Sequence, residues 1–122
     1  MGESPTLDVV FFRAASGREP VRDWLKALSA EDRTIIGGDI NTVQWMWPLG
    51  RPLVAYLRDG VWEVRSRLDN REARVLFGIV GKRMVLLHGF IKKTRATPAE
   101  ELCLAEQRWR ARQGQEQGEQ DE

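Results

Sequence analysis

Positively charged side chains are concentrated in the second half of the chain, on or beside segments that read as strands. Residues 58–95 contain ten Lys or Arg and four Asp or Glu. Neighbouring antiparallel strands lie about 4.8 Å apart, so cations that are distant in sequence can converge in a suitable register. The sequence therefore predicts one cationic surface, and its candidates for chemistry are Arg65, Arg67, Arg74, His88, Lys92 and Lys93.

Such a surface supplies what RNA cleavage without a metal requires. The ribose 2′-OH attacks the adjacent phosphorus, one group removes its proton, another protonates the departing 5′-oxygen, and fixed cations stabilise the phosphorane. Arg contacts two phosphate oxygens at once, so Arg65 and Arg74 are expected to hold the scissile phosphate. Lys92 and Lys93, crowded by like charges, are candidates for proton transfer or cationic stabilisation, and His88 is a further catalytic candidate. Four arginines are expected to bind the RNA backbone: Arg58, Arg67, Arg71 and Arg95.

Each candidate also fits a purely structural role. Arg65 can form a surface salt bridge with a neighbouring glutamate, and Glu63 is expected to orient an arginine rather than to act as a base. His88 lies within an apolar run and can be a core histidine. Lys92 and Lys93 can simply keep the end of a strand soluble.

Composition excludes several other classes of function. The 122 residues suit one domain, and 42% hydrophobic with 30% charged residues is typical of a globular protein. Cys103 is the single cysteine, so neither an internal disulfide nor a Cys-based metal cluster can form. There is no phosphate-binding glycine loop and no zinc spacing, so no cofactor or metal is expected. Without a membrane-length apolar run or a signal-like start, we expect a cytoplasmic protein with a polyanionic partner.

The first half of the sequence predicts one strand and two helices. Residues 7–13 are β-branched and aromatic, which favours a strand. Pro20 suits the first turn of a short helix, and Ser29 with Asp32 resembles a capping box that starts a second one. Glycines at 37 and 38 are expected to weaken or bend that helix, which Pro48 ends.

The second half predicts an antiparallel meander and a final helix. Strands over 61–68, 72–80 and 83–91 are separated by short turns, and in 61–68 apolar and charged residues alternate. Thr97 is expected to cap a helix whose residues Leu102, Ala105 and Trp109 face the core. The result is an α+β fold, with about four antiparallel strands packed against two N-terminal helices plus a C-terminal helix. If the helices cover the apolar face, the charged strand positions stay exposed. We expect one domain over 1–112 and a disordered acidic tail over 113–122.

Four segments together resemble a known family of toxins. They are G-x-x-P-V-x-x-W-L (17–25), L-x-D-G-V-W-E-V-R (57–65), A-R-V-L-F (73–77) and L-L-H-G-F-I-K-K-T with T-P-A-E-E (86–101). The chain resembles the phage-derived toxins of the RelE/HigB (RelE/ParE) superfamily over about residues 7–112. By this similarity, Arg65 and Arg74 match basic residues that bind phosphate, and Lys92 and Lys93 lie near the C-terminal functional cluster. No clear counterpart follows Lys93 for the aromatic residue that stacks on a base in some members.

The resemblance implies a RelE-like fold and the toxin of a type II toxin–antitoxin system. Such a toxin is an mRNA interferase, an endoribonuclease that cuts mRNA in the ribosomal A site, and its cognate antitoxin is expected to be a small helix-turn-helix protein. Two alternatives stay open. One is a ParE-like protein that inhibits gyrase without cleaving RNA, and the other is a phage-derived RNA-binding relic that has lost cleavage.

Overall fold

The computed structural model describes residues 3–93 and 96–120, arranged as five strands and three helices within those ranges. In chain order these are β1 (Asp8–Phe11), α1 (Pro20–Ala27), α2 (Ala30–Met46), β2 (Val54–Arg58), β3 (Val61–Leu68), β4 (Arg71–Val80), β5 (Arg83–Lys92) and α3 (Ala99–Gln120).

The strands form one mixed sheet in the order β1-β5-β4-β3-β2. Strands β2 to β5 are an antiparallel meander, whereas β1 runs parallel to β5, with Val9 opposite Met84. The α+β, RelE-like architecture predicted from the sequence is confirmed. The sheet has one strand more than the four predicted, and one of its strand pairs is parallel instead of antiparallel. Two helices separate β1 from the meander, and a crossover of that kind permits parallel pairing where a tight turn does not.

One face of the sheet packs against α1 and α2. Helical spacing places Ile36, Ile40 and Val43 on one side of α2, and all three are buried. They belong to the same core cluster as Val64 and Phe77 from the central strands. Ser29 caps α2 by accepting a hydrogen bond from the Asp32 backbone N–H at 3.1 Å, and the helix continues without interruption through both glycines.

The other face of the sheet packs against α3, which covers only part of it. Ala105 and Trp109 are buried there, with Leu102 packed against the same cluster, which confirms the predicted inward face of this helix. The expectation that all helices take one face, leaving the charged face open, is therefore wrong for α3. It shields the half of the face near Val61, and the half near Leu68 stays open.

The two ends of α3 differ from their predicted positions. The helix begins at Ala99, and the Thr97 hydroxyl just before it donates to the Glu63 carboxylate on β3. At the other end the backbone is helical to Gln120, beyond the predicted boundary at Arg112. The assignment of 113–122 to a disordered tail stays a prediction.

Close contact between α3 and the sheet depends on Gly78. A Cβ at this position would lie 2.7 Å from the buried ring of Trp109. We predict that Gly78→Ala destabilises the protein by about 1–3 kcal/mol, because the ring must move out of a packed site. Urea unfolding monitored by tryptophan fluorescence measures this change.

Gly38→Ala is the matched control for that substitution. A Cβ at Gly38 has open space around it within the exposed face of α2. This variant is expected to stabilise the protein by up to about 1 kcal/mol through helix propensity. Equal effects of the two substitutions would show that Gly78 has no special packing role.

Candidate nucleic-acid interface

Strands β3, β4 and β5 align charged residues into rows across the open half of the sheet. In the first row Arg67 lies opposite Glu72, which in turn lies opposite Lys92. In the second row, two residues further along β4, Arg65 and Phe90 flank Arg74. Because alternate residues of a strand share a face, all of these side chains lie on the face that α3 covers in part, and Phe90 is buried in the same cluster as Ala105 and Trp109 of that helix.

These rows form the floor of an open groove with two lobes. The inner lobe, about 670 Å³, and the outer lobe, about 740 Å³, share Arg67, Glu72 and Lys92. We call the two lobes together the basic cleft. The inner lobe adds Arg65 and Arg74 with Ile35, Asp39, Pro52 and Leu53, and the outer lobe adds Leu68, Asn70, Arg71 and Lys93. The structure thus brings together six of the basic residues that the sequence proposed.

A buried carboxylate, Glu63, organises the inner lobe. Its Oε1 accepts hydrogen bonds from Arg65 Nε at 2.9 Å and from Arg74 Nη1, and its Oε2 accepts one from the Thr97 hydroxyl at 2.6 Å. The Glu63 side chain is fully inaccessible to solvent. A buried carboxylate is tolerated only when it is paired and hydrogen-bonded, so Glu63 and its partners constrain one another. Glu63 therefore orients two arginines, the role expected for it.

The two arginines differ in their access to a ligand. Arg74 lines the inner lobe, but only 3% of its side chain is exposed, whereas Arg65 is half-buried. Arg74 also binds Glu72 through Nη2 at 3.2 Å. Arg74 thus contributes positive charge from a nearly buried position, whereas Arg65 and Arg67 are more exposed to the cleft than Arg74 is.

The wall of the outer lobe is tied to helix α2. Arg71 Nη2 donates to Asp32 Oδ2 at 2.8 Å, and Asp32 is itself held at the N-terminus of α2. Arg71 Nε also faces the Asp69 carbonyl oxygen at 3.4 Å. The guanidinium is thereby fixed at the rim instead of sampling many rotamers, which lowers the entropic cost of a phosphate contact there.

His88 lies outside the cleft, beneath α3. Its Nε2 contacts Glu101 of that helix, and its ring stacks on Phe90 with centroids 5.6 Å apart. Arg108 approaches Nδ1 at 3.4 Å and donates to the Leu87 carbonyl oxygen at 2.7 Å. His88 does not belong to the described residues that line the two lobes. Its surroundings match the alternative role of a core histidine.

Two further arginines have structural partners at the α3 end of the sheet. Arg58 donates to Glu106 through Nε at 3.0 Å, and this hydrogen bond, with the attraction of the same carboxylate, raises the pKa of Arg58. Burial lowers the pKa of Arg108, while the charge of Glu101 opposes that shift. Arg58 therefore fastens α3 to β2, away from the cleft. Arg95, also proposed to bind RNA, lies outside the described residues.

Several residues of the cleft were not predicted from the sequence. Asp39 and Ile35 of α2 line the inner lobe, and Thr97, from the segment before α3, donates to Glu63 and so supports the arginines of that lobe. Their placement depends on how helices dock, which local patterns do not encode. The position of Glu72 in the cleft is predictable from the sequence, because alternation places it on the same face of the same strand as Arg74.

Two features are absent from the part of the chain that the structure describes. Within residues 3–93 and 96–120, no group of His, Cys, Asp or Glu side chains is placed to hold a metal ion. No helix in this part of the chain has the length and apolar character to cross a membrane.

The fold and the cleft define an α+β protein with a mixed sheet, helices on both faces and a basic groove at one end. A model of the family described as phage derived protein Gp49-like (DUF891) matches residues 23–110. The chain belongs to this family, which is part of the RelE/HigB-like toxin superfamily and is associated with the toxins of toxin–antitoxin systems. A search of curated proteins found no match.

The role of Glu63 leads to a prediction about stability. Glu63→Gln leaves the buried guanidinium of Arg74 without its main counter-charge, and breaking a buried pair in this way costs about 3–5 kcal/mol. We expect a loss of that size in denaturant unfolding experiments.

Glu19→Gln provides the comparison, since Glu19 pairs with Arg13 and Arg22 at the surface. Exposed pairs of this kind contribute about 0–1 kcal/mol. If both variants lose the same small amount, Glu63 does not have the central role described above.

Proposed function

We propose that this protein is the toxin of a type II toxin–antitoxin system and acts as a ribosome-dependent, metal-independent mRNA endonuclease, an mRNA interferase. The main support for this proposal is that basic side chains from three strands converge on one open groove. Membership of a toxin-associated family supports it. A groove with these cations suits a flexible, single-stranded phosphate backbone, which the ribosomal A site presents as mRNA.

The groove allows the following division of roles. Arg65 and Arg74 hold the scissile phosphate and stabilise charge that develops on its non-bridging oxygens. As the 2′-oxygen attacks, the P–O5′ bond breaks, giving a 2′,3′-cyclic phosphate and a free 5′-hydroxyl. Lys92 and Lys93 supply a proton to the departing 5′-oxygen, accept one from the 2′-hydroxyl, or stabilise the phosphorane. His88 takes no part in this scheme because its ring is engaged beneath α3.

Backbone contacts away from the scissile bond are assigned to the outer lobe. Arg67 and Arg71 line it together with Asn70 and Lys93, so neighbouring phosphates can be bound there. Such contacts position the strand without reading its sequence. The proposed partners are therefore mRNA on the ribosome and a cognate antitoxin that neutralises the toxin.

Cleavage by purified protein tests the proposal. Translating ribosomes with a defined mRNA should yield cuts at fixed positions, mapped by primer extension. Arg65→Ala is expected to lower the rate by about 10²–10³-fold, the typical effect of removing one stabilising donor.

Lys82→Ala is the matched control for that experiment. Lys82 is exposed in the turn between β4 and β5, so the variant removes one positive charge without altering the cleft. Its rate should equal that of the unmodified protein. Absence of cuts together with loss of gyrase supercoiling would favour the ParE-like alternative, and RNA binding without cuts would favour the relic.

Binding to RNA should also depend on salt in a defined way. For single strands, log K falls with log salt by about 0.7 for each phosphate contacted. We predict that Arg67→Ala reduces the slope by about 0.7 and weakens binding similarly for different sequences. Fluorescence anisotropy with labelled oligoribonucleotides at several salt concentrations measures this slope. A slope unchanged by the substitution would place the RNA elsewhere.

A further inference from the structure

Glu72 occupies the centre of the basic cleft. It belongs to the middle strand of the three, directly opposite Arg67 on one side and Lys92 on the other. It lines both lobes, and 38% of its side chain is exposed. An exposed carboxylate at the centre of a groove built to attract anions needs an explanation.

The carboxylate of Glu72 bridges two cations of the site. Oε1 lies 3.2 Å from Arg74 Nη2, and Oε2 lies 3.8 Å from Lys92 Nζ. Glu63, by contrast, holds Arg74 from the buried side through Nη1. The two glutamates therefore contact different nitrogens of one guanidinium, Glu63 from within the protein and Glu72 from the cleft.

The nitrogens that Glu72 contacts are those that a bound phosphate needs. Arg74 lines the inner lobe although only 3% of its side chain is exposed, and its Nη2 is the nitrogen that contacts the partly exposed Glu72. A carboxylate and a phosphate present similar oxygen acceptors, so both compete for the same donors. Glu72 and an RNA phosphate cannot bind this nitrogen together without strong repulsion between like charges.

We propose that the Glu72 carboxylate occupies the phosphate position between Arg74 and Lys92 in the free protein, and that an RNA phosphate binds by displacing it. This inference rests on the proposed function and adds a determinant of ligand choice. Displacement is feasible because the carboxylate is partly solvated and its contact with Lys92 is long, which marks a weak pair. A ligand with several linked phosphates displaces it better than a single phosphate ion, since its other phosphates bind Arg67 and the outer lobe at the same time.

Binding of RNA to Glu72→Gln tests the proposal directly. Gln keeps the size of the side chain and an oxygen that Arg74 can bind, but it removes the competing charge. The affinity for a labelled single-stranded oligoribonucleotide is expected to rise about threefold to tenfold at moderate salt, the scale of one nearby like charge under partial screening. Inorganic phosphate, tested by competition, should also bind more tightly to this variant.

Asp23→Asn is the matched control. It removes one negative charge from an exposed position on α1, where Asp23 pairs with Arg18 and lines neither lobe. A gain in affinity for Glu72→Gln that exceeds the gain for Asp23→Asn supports displacement. Equal gains, no gain, or weaker binding would overturn it.

The remaining outcomes separate this inference from the proposed function. If Arg67→Ala weakens RNA binding while Glu72→Gln leaves it unchanged, the cleft binds RNA and only the displacement proposal fails. If Arg67→Ala has no effect on RNA binding, the cleft is not the RNA site and both proposals fail. Glu72→Ala, which removes the whole carboxylate, must show the same direction as Glu72→Gln. Failure of both Glu72 variants to fold would make this residue a structural ion-pair partner and overturn the proposal.

Discussion

The organisation of this protein depends on two arginines that face each other across adjacent strands. Arg65 and Arg74 are directly opposite in the antiparallel pairing of β3 and β4. Like charges at such positions repel one another, because their Cβ atoms are only about 4.5–5.5 Å apart. Glu63 resolves the conflict by accepting hydrogen bonds from both guanidiniums on a single oxygen. The buried carboxylate therefore offsets the repulsion between the pair and fixes the direction of both arginines.

The same carboxylate connects the cleft to the packing of α3. Thr97 donates to Glu63 just before the helix begins, and further along, Trp109 lies against Gly78 and Gly60. These contacts hold α3 over one half of the charged face and leave the other half open. Covering the whole face would seal the basic cleft, whereas leaving it bare would expose the apolar cluster around Trp109 to water. The position of this helix thus sets both the stability of the sheet and access to the site.

Local signals in the sequence were enough to predict the meander and much of the cleft. The alternation over Val61–Leu68 and the turns at Asp59-Gly60 and Asp69-Asn70 fix the register of β3 against β4, which places Arg65 opposite Arg74. Lys92 lies opposite Glu72 because the register of β4 against β5 shifts between Leu76 and Phe77, an irregularity that the sequence pattern does not show. Long-range contacts were not predictable in this way. Nothing local shows that β1 pairs with β5 or that α3 takes the charged face, and for that reason His88 and Arg58 were grouped with cations that they do not join. Sequence alone therefore identified the cleft but not its boundary.

The energetics of the cleft favour a binding role over a purely structural one. A sheet selected only for stability would not place Arg74 opposite Arg65. It would also not bury the Nε of Arg74, which has no hydrogen-bond partner among the described residues. Buried donors without partners destabilise the folded state, and they are rare in folded proteins for that reason. The cost is understandable if these cations are held for an anion that arrives from outside. Two carboxylates offset the positive charge of the cluster in this structure: Glu63, which is fully buried, and Glu72, which is partly exposed to solvent.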